Sequence, residues 1–247
     1  MKLFYFEHSN LHLLNYSVVL CRSIFLTITF IAGINLANAE SKSAIKLPPK
    51  NMVVPLAITT SEKLGKSDEG IGLKIGETFN SFSIKTHDGK PINSSDLLEK
   101  SPLLIVFYRG GWCPYCNLQI RQLTEAYPNF KKRNVTPVLI SVDATDGAAL
   151  AQKTYNIPFP VLSDSNLLAH NAFNVMLKVD NKTTAQYKEY GIDLEAWSSK
   201  DHHSIAISSV FLVDKNGKVL WAHASKDYKT RPSPAQLLDV IDHTLRK

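Results

Sequence analysis

The stretch LLIVFYRGGWCPYCNLQIR, from Leu103 to Arg121, predicts a buried strand, a turn, a Cys-x-x-Cys motif and a helix, in that order. Residues 103–107 are apolar without interruption, which is typical of a strand covered on both faces in the parallel part of an α/β sheet. The glycine pair at 110–111 allows the backbone to turn without steric cost. The fixed φ of Pro114 and its missing N–H suit the first position of a helix. We therefore expect the two cysteines where a buried strand leads into a helix.

The predicted helix start determines the chemistry of the two cysteines. Cys113 would lie near the N-cap and Cys116 about one turn inside the helix, where backbone N–H groups and the positive end of the helix dipole favour a thiolate. The pKa of a free cysteine is about 8.5, whereas Cys-x-x-Cys sites at helix starts titrate between roughly 3.5 and 7.5. The thiolate is the nucleophilic form, so the motif predicts a redox-active pair.

Two structural interpretations compete with the redox pair. A scaffold disulfide between cysteines of this spacing closes a very small loop and removes little entropy from the unfolded chain. A zinc half-site needs a second pair of ligands, and the adjacent candidates, His202 and His203, lack the usual spacing of about three to five residues. We therefore predict no metal site and favour redox chemistry.

The length and composition of the chain fit one α/β core with extensions. The chain has 247 residues, of which 44% are hydrophobic, which suits one good-sized domain rather than several. We divide it into a signal peptide at residues 1–39, an N-terminal extension at 40–70 and a folded domain at 71–247. The extension is polar and interrupted by prolines, so we expect a tether or wrapping arm without a chemical role.

Residues 1–39 have the pattern of a secretory signal. Lys2 and Arg22 flank a start with few charges. Ser23 to Leu36 is an apolar run, and Ala37-Asn38-Ala39 has the small-x-small form of a cleavage site. We expect cleavage after Ala39 and export to the periplasm. The alternative is an uncleaved membrane anchor from Tyr16 to Leu36, although Arg22 interrupts it.

Removal of that segment would also remove Cys21 and leave the two cysteines of the motif as the only ones in the mature chain. An exported protein with a single Cys-x-x-Cys pair is more simply a redox catalyst than a disulfide-stapled fold. The mature chain would carry 26 Lys and Arg and 21 Asp and Glu residues, a net charge of +5. These charges are interspersed without a long basic run, so nucleic acid is not an expected partner.

Strand and helix patterns alternate along the folded domain. A half-buried strand around Phe82 and Ile84 leads into the turn His87 to Lys90, and Ser94 or Ser95 can cap a short helix. The helix that starts at Pro114 is expected to kink or end at Pro128. Further strands are predicted at 136–142 and 159–162, and further helices at 146–155, from Asp164 or Ser165 to Phe173, and after Ser233. The alternation predicts a doubly wound α/β sheet.

Residues 175–204 break this alternation with a polar insertion, and we expect it to lie over one side of the fold. Its aromatic residues and histidines are Tyr187, Tyr190, Trp197, His202 and His203. The histidines are predicted to be surface residues. After the insertion, apolar strands at 210–213 and 219–222 flank Asp214-Lys215-Asn216-Gly217, whose Asn-Gly pair predicts a type I′ hairpin turn.

Four segments are more specific than the Cys-x-x-Cys motif alone: Gly76 to Phe79, Phe107 to Cys116, Ala126 to Arg133 and Val210 to Gly217. Together they resemble the peroxiredoxin-like branch of the alkyl hydroperoxide reductase/thiol-specific antioxidant (AhpC/TSA) family, within the thioredoxin superfamily. The resemblance covers most of residues 71–247. It implies a thioredoxin-like fold in which a central mixed sheet is flanked by helices and an insertion precedes the last strand hairpin.

The resemblance also implies roles for single residues. Cys116 falls at the position of the peroxide-attacking cysteine, and Cys113 falls where typical peroxiredoxins carry a threonine that orients the peroxide. Arg231 matches a family arginine that helps to activate the thiolate. This sequence departs from the family pattern at Arg109, which replaces an active-site proline, and at Ser208-Ser209, which replaces an arginine or cis-proline. These departures weaken the case for efficient peroxidase activity but leave the redox pair intact.

Local physics and the resemblance disagree about which sulfur attacks first. The N-cap position favours Cys113 as the low-pKa thiolate, as in thioredoxin-type enzymes, whereas the family frame favours Cys116. In either case the second sulfur can resolve the first product into a disulfide. Arg109 and Arg231 are expected to support the thiolate by charge. The residues expected to line the pocket are Tyr108, Trp112, Pro114 and Tyr115.

The leading functional hypothesis is a thiol-dependent antioxidant oxidoreductase that reduces peroxides through the Cys-x-x-Cys pair. The alternative is a thioredoxin-like oxidoreductase that acts on protein disulfides, and a third hypothesis is a non-enzymatic redox sensor or binding module. The expected partners are a peroxide or disulfide substrate and a thiol electron donor, with no cofactor. A membrane would be a partner only if the N-terminal segment stays uncleaved. The sequence leaves the oligomeric state open.

Overall fold

The computed structural model describes residues 45–245. The strands of this range are β1 (Ala57–Ile58), β2 (Ser83–Thr86), β3 (Pro91–Asn93), β4 (Leu103–Phe107), β5 (Thr136–Ser141), β6 (Val161–Ser163), β7 (Met176–Lys178), β8 (Ser204–Ala206), β9 (Ser208–Val213), β10 (Val219–Ser225) and β11 (Thr230–Arg231). The helices are α1 (Ser94–Leu98), α2 (Pro114–Lys132), α3 (Thr145–Tyr155), α4 (Leu168–Ala172), α5 (Asn181–Glu189), α6 (Leu194–Ser198) and α7 (Pro234–Leu245).

The predicted central strand is confirmed as β4, and all five of its residues are buried. It pairs in parallel with β5 and antiparallel with β9, within a seven-stranded sheet of order β10-β9-β4-β5-β6-β2-β3. The uninterrupted apolar run is explained by this position, because a strand with partners on both edges and cover on both faces presents no side chain to water. The sheet is mixed, as the predicted fold class requires.

The side chains of β4 alternate between two layers of the core, because successive residues of a strand face opposite sides of the sheet. Leu104 and Val106 belong to a cluster that includes Ile120 of α2 and Leu237 of α7. Leu103, Ile105 and Phe107 belong to a second cluster, in which three phenylalanine rings pack with centroids 5.0 to 6.2 Å apart. The rings are those of Phe107, Phe173 and Phe211. Helix α2 is thus fixed against one face of the strand that precedes it.

The N-terminal extension wraps across the folded domain and pairs with its C-terminal part. Strand β1 runs parallel to β11, with Ala57 opposite Thr230 and Ile58 opposite Arg231. The hydrogen bonds from Ala57 N–H to the Lys229 carbonyl and from Thr59 N–H to the Arg231 carbonyl are 3.0 and 2.9 Å long. The extension therefore fixes the backbone at both sides of Arg231.

The insertion contains more regular structure than its polar composition indicates. Strands β7 and β8 pair antiparallel at its two ends, from Met176 opposite Ala206 to Lys178 opposite Ser204, and enclose α5 and α6. Trp197 of α6 is only 2% exposed and belongs to the core cluster of α2. The insertion is therefore part of the core on that side.

The predicted type I′ turn between β9 and β10 is wrong. A type I′ turn needs a positive φ at both central residues, but of the Asn-Gly pair only Gly217 has one, at +80°. The Asp214 carboxylate instead accepts the N–H groups of Asn216 and Lys218, each at 2.9 Å, and Asp214 N–H donates to the Lys218 carbonyl. These bonds from Asp214 stabilise a loop that is longer than the two-residue turn predicted from the Asn-Gly pair. The hairpin itself is confirmed.

Three predicted helix boundaries also need correction. Helix α4 begins at Leu168 with Leu167 as its N-cap, rather than directly after Asp164 or Ser165, although the Asp164 carboxylate accepts the Leu168 N–H at 2.8 Å. Of the kink or end expected at Pro128, the end does not occur: α2 continues to Lys132, because packing against the sheet outweighs the loss of one backbone hydrogen bond. The short helix α1 begins at Ser94, so its N-cap is Asn93 rather than Ser94 or Ser95. The Asp96 carboxylate accepts the Asn93 N–H at 3.2 Å.

The predicted signal peptide lies outside the described residues. Between residues 45 and 245, no helix has both the length and the apolar character to cross a membrane.

Candidate active site

The loop between β4 and α2 is shaped by close approach of side chains from other segments. Gly110 has a φ of +149°, and a Cβ there would lie 2.3 Å from Trp112 Nε1 and 2.8 Å from Asp143 Oδ1. A Cβ at Gly111 would lie 2.8 Å from the Trp197 ring and 2.9 Å from Leu47. Any side chain at either position would collide with these groups. The glycine pair is therefore needed for space as well as for the turn.

The predicted start of α2 is confirmed, with Cys113 at the N-cap and Pro114 as the first helical residue. The Cys113 carbonyl accepts the Asn117 N–H at 3.0 Å and begins the helix. The Cys113 side chain, however, accepts no N–H of the first turn. The capping contact on which a low pKa for Cys113 depends is thus not formed. Both cysteines are buried free thiols, with exposures of 1% for Cys113 and 0% for Cys116.

Arg231 places a positive charge on Cys116. Its Nη2 lies 3.2 Å from the Cys116 sulfur, and its side chain is almost fully buried. Nη1 donates to Gln119 Oε1 at 3.2 Å, and Nε donates to the Tyr228 carbonyl at 3.0 Å. The guanidinium is thereby held by α2, by β11 and by the loop before β11. The structure brings together Arg231 and Cys116, which are 115 positions apart in the chain.

The surroundings give the two thiols opposite pKa shifts. Burial raises the pKa of the Cys116 thiol, but a hydrogen bond with Cys113, the charge of Arg231, the Arg109 backbone and the Arg109 charge lower it to about 6. Burial raises the pKa of the Cys113 thiol, and the contact with Cys116 raises it further. The negative charge of the pair therefore resides on Cys116 at neutral pH, with Cys113 as the protonated partner.

Arg109 lies within a group of three aromatic rings. Its guanidinium carbon is 3.9 Å from the ring centre of Tyr228, 4.9 Å from that of Trp112 and 5.8 Å from that of Tyr187, and its Nη2 donates to the Tyr187 hydroxyl. Such cation–π contacts are favourable when the cation is shielded from water. We call Trp112, Tyr187 and Tyr228 the aromatic cover. It includes one residue from the insertion and one from the segment before β11.

The predicted pocket residues occupy different depths. Tyr108 is fully buried beneath the site rather than at its mouth, and Trp112 belongs to the aromatic cover. Pro114 and Tyr115 are half-buried at the start of α2, where the Tyr115 ring packs edge-on against Tyr228 at 5.4 Å.

Sequence reasoning missed four residues that contact the site. Gln119 orients Arg231, Tyr187 and Tyr228 contact Arg109, and Asp143 accepts the Gly111 N–H at 2.8 Å. Only Asp143 could have been identified from the sequence. It directly follows the strand predicted at 136–142, and in α/β folds ligands bind at the carboxyl ends of such strands. The three others lie far away in the sequence or on a polar helix face.

The two histidines considered as metal ligands have other partners. His202 Nε2 lies 3.1 Å from the Ser165 carbonyl, and His203 Nε2 lies 2.6 Å from Glu195 Oε1. Across the described residues 45–245, no group of three or more His, Cys, Asp or Glu side chains is arranged to hold a metal ion.

Comparison with known proteins identifies the family. Residues 75–222, which include both cysteines and Arg109, match the AhpC/TSA family. The chain belongs to the AhpC/TSA family. This confirms the resemblance found in the sequence. Arg231 lies beyond the matched segment, and its position beside Cys116 comes from the structure.

Two relatives represent two kinds of thiol chemistry. The chain is 27% identical over 144 residues to chloroplastic peroxiredoxin Q of Sedum lineare. The aligned residues cover 58% of this chain and 65% of the relative. It is also 27% identical over 149 residues to the thiol-disulfide oxidoreductase ResA of Bacillus thuringiensis subsp. konkukian. This alignment covers 60% of this chain and 68% of the relative. Both relatives are thiol oxidoreductases, in agreement with the predicted enzyme class.

A solved structure supports the fold. The crystal structure of peroxidoxin BcpB from Mycobacterium tuberculosis superposes with a TM-score of 0.55 and 21% identity, and covers 70% of this chain and 97% of that protein. The predicted thioredoxin-like fold with a central mixed sheet is confirmed.

The contact between Arg231 and Cys116 predicts a measurable change in thiol acidity. Replacement of Arg231 by Gln removes the positive charge next to the sulfur, so the pKa of Cys116 should rise by roughly one unit or more. Titration of the thiolate ultraviolet absorbance of the reduced protein measures this pKa. In the wild type, the thiolate signal should be lost as the pH falls through about 6.

Arg121→Gln is a matched control, because Arg121 lies on α2, the helix of Cys116, but donates to the carbonyl of Lys50 rather than to the cysteines. It should leave the titration unchanged. If Arg231→Gln titrated like the wild type, the guanidinium would not be what stabilises the thiolate.

Proposed function

We propose that this protein is a thiol-dependent peroxidase in which Cys116 attacks the peroxide and Cys113 resolves the product. The observation that carries the proposal is the buried contact of 3.2 Å between the Cys116 sulfur and Arg231 Nη2. A buried thiolate next to a fixed guanidinium is a strong nucleophile, and the same positive charge can stabilise the oxygen that leaves with negative charge. Peroxiredoxin Q among the relatives supports the same chemistry.

The proposed reaction has two steps. The Cys116 thiolate attacks one peroxide oxygen, so that an S–O bond forms, the O–O bond breaks, and the other oxygen leaves as an alkoxide or hydroxide that takes up a proton. The Cys113 thiol then attacks the Cys116 sulfenic acid and releases water, which leaves a Cys113–Cys116 disulfide. A thiol donor reduces this disulfide and restores the starting state.

A second candidate is thiol-disulfide exchange with protein disulfides. The Cys-x-x-Cys motif at a helix start and the ResA relative favour it. In that chemistry the outer cysteine of the motif attacks, whereas here burial and the contact with Cys116 raise the pKa of Cys113 and the thiolate lies on Cys116. Both sulfurs are almost fully buried, which restricts a large substrate more than a small one. Small peroxides need far less access than a protein disulfide does. The geometry therefore supports the peroxidase more than the exchange reaction.

Cysteine variants in a Cys21→Ser background separate these roles. The reduced protein with both site cysteines should consume about one equivalent of hydrogen peroxide per chain, and the Cys116→Ser variant should consume none. Cys113→Ser should react once and stop at a Cys116 sulfenic acid, which dimedone can trap. Peroxide concentration and the mass of the intact protein measure these outcomes. The wild-type rate should rise with pH through about 6, because the thiolate is the reactive form.

The exchange reaction would give a different pattern. No peroxide loss above buffer, together with a mixed disulfide between Cys113 and a model protein disulfide that accumulates in Cys116→Ser, would replace the peroxidase proposal with its alternative. A stable complex with a partner in one oxidation state only, without turnover, would favour a sensor.

We also propose that the oxidised product is an intramolecular Cys113–Cys116 disulfide that changes only local structure. The pair spans the first turn of α2, and each thiol shifts the pKa of the other. Mild oxidation of the Cys21→Ser protein should give a monomer about two hydrogens lighter, with both thiols blocked to alkylation and an almost unchanged far-ultraviolet circular dichroism spectrum. Disulfide-linked dimers or a persistent sulfinic acid would contradict a resolving role for Cys113.

Export to the periplasm with cleavage after Ala39 remains a proposal that rests on the sequence pattern of residues 1–39. Intact mass and N-terminal sequencing of the protein recovered from a Gram-negative host should identify Glu40 as the first residue, in the periplasmic fraction. Recovery of the full-length chain in the membrane fraction would support the uncleaved anchor instead.

A further inference from the structure

The redox pair is closed off from solvent when both thiols are free. Cys113 is 1% exposed and Cys116 is 0% exposed, and both belong to the core cluster against which Tyr187 and Tyr228 pack. The proposed cycle nevertheless needs access to the sulfurs twice. A peroxide must reach Cys116, and a donor dithiol must later form a bond to one sulfur of the disulfide while it gives up two electrons and two protons. Some part of the surrounding structure must therefore move.

Two of the three rings in the aromatic cover are held by the folded domain. Trp112 is 6% exposed and lies in the loop directly before α2. The Tyr228 ring packs edge-on against Tyr115 of α2 at 5.4 Å, and the Tyr228 carbonyl accepts a hydrogen bond from Nε of Arg231 at 3.0 Å. Neither ring can leave without disturbing α2 or Arg231.

The third ring, that of Tyr187, belongs to a helix with few ties to the core. Across its residues Asn181–Glu189, all of which the structure describes, α5 contains no buried side chain, whereas Trp197 of α6 is 2% exposed. The Thr184 hydroxyl is shielded from water and has no hydrogen-bond partner in the described part of the chain. It lies on the same face of α5 as Tyr187, because residues three apart share a helix face. This hydroxyl gains a partner when the helix moves into water, so it favours displacement of α5.

The hydrogen bonds of α5 are local, so the helix can move as one body. Thr183 donates its N–H and its hydroxyl to the Asp180 carboxylate at the N-cap, at 2.9 and 2.7 Å. At the other end, the N–H groups of residues 190–192 donate to carbonyls about one turn back. Core residues flank the segment at Val179 and Leu194, each 5% exposed. These two residues mark the ends of the segment that can move.

Tyr187 links α5 to the redox site. Its hydroxyl accepts a hydrogen bond from Nη2 of Arg109. The centre of its ring lies 5.6 Å from that of Trp112 and 5.8 Å from the guanidinium carbon of Arg109. Removal of this one side chain therefore detaches the helix from the aromatic cover.

We propose that α5 is a lid on the redox pair and that Tyr187 sets the size of the molecule that reaches the sulfurs. A small peroxide passes through brief separations of the aromatic rings, whereas a protein dithiol enters only after α5 has moved away. Tyr187 is thus a specificity-determining residue. The inference deepens the proposed function and rests on it for the identity of the two substrates.

Two thiol reagents of different size test the lid without peroxide. Iodoacetamide and the much larger fluorescein maleimide are applied to the reduced full-length protein in the Cys21→Ser background, and intact mass gives the rate of modification. Both reagents attack the thiolate, so the ratio of their rates cancels any change in the thiolate fraction. Tyr187→Ala should raise the rate of the maleimide relative to iodoacetamide by about tenfold, because it removes a cation–π contact and a hydrogen bond.

Tyr190→Ala is the matched control. Tyr190 is the C-cap of α5, but it is 68% exposed and its hydroxyl accepts Nε2 of Gln186 rather than a group of the aromatic cover. This variant should leave the ratio of rates unchanged. An unchanged ratio in folded Tyr187→Ala, or an equal rise in both variants, would overturn the proposal.

Hydrogen exchange of the reduced protein gives a second readout, which decides alone if Tyr187→Ala does not fold. The amides of α5 should exchange faster than those in the first two turns of α2. Tyr187→Phe, which keeps the ring and loses the bond from Arg109, should accelerate exchange in α5 and leave α2 unchanged. Faster exchange at the start of α2 than in α5 would show that the sulfurs become accessible by unwinding of α2, and would contradict the lid.

The lid and the peroxidase proposal can fail independently. A higher ratio of rates in Tyr187→Ala, in a protein that consumes no peroxide, would support the lid and reject only the substrate. Peroxide consumption, together with an unchanged ratio and no faster exchange in α5, would reject the lid and leave the peroxidase.

Discussion

The buried contact between the Arg231 guanidinium and the Cys116 sulfur is the interaction on which the rest of the site depends. A charge transferred from water to a protein interior is unfavourable unless an opposite charge and hydrogen bonds replace the lost hydration. Each partner here supplies the charge that the other needs. Gln119 and the Tyr228 carbonyl complete the hydrogen bonds of the guanidinium, so that it can stay buried and face the sulfur. Without the arginine, the pKa of Cys116 would rise, because burial would be opposed only by the contact with Cys113 and by Arg109.

The aromatic cover addresses a different requirement of the same site. A second guanidinium, that of Arg109, adds positive charge near both sulfurs. The electron-rich faces of Trp112, Tyr187 and Tyr228 stabilise this cation without introducing another anion that would compete with the thiolate. The charged side chains that act on Cys116 are therefore the two arginines, and both lower the pKa of its thiol. It also explains why a proline position of the family frame can carry an arginine in this chain.

The sequence was sufficient for features set by local order and insufficient for those set by distant contacts. The apolar run of β4, the turn and Pro114 predict the strand and the helix start correctly, because steric and hydrogen-bond rules act over a few residues. The Asn-Gly turn was wrong, since the Asp214 side chain outweighs a dipeptide preference. Gln119, Tyr187 and Tyr228 carry no local mark of their roles. The burial of Trp197 was not predictable either, because it depends on how an otherwise polar insertion packs against the core.

The short parallel pairing of β1 with β11 has a consequence for how this site comes into being during synthesis. The guanidinium is fixed beside the sulfur when the N-terminal extension has met the C-terminal part of the folded domain, because Ala57, Ile58 and Thr59 hold the backbone around Arg231. A growing chain that has emerged only as far as α2 or β5 carries both cysteines but not the arginine. Its thiols are then ordinary ones, mostly protonated at neutral pH. The low pKa of Cys116 is therefore a property of the complete fold and not of the Cys-x-x-Cys segment alone.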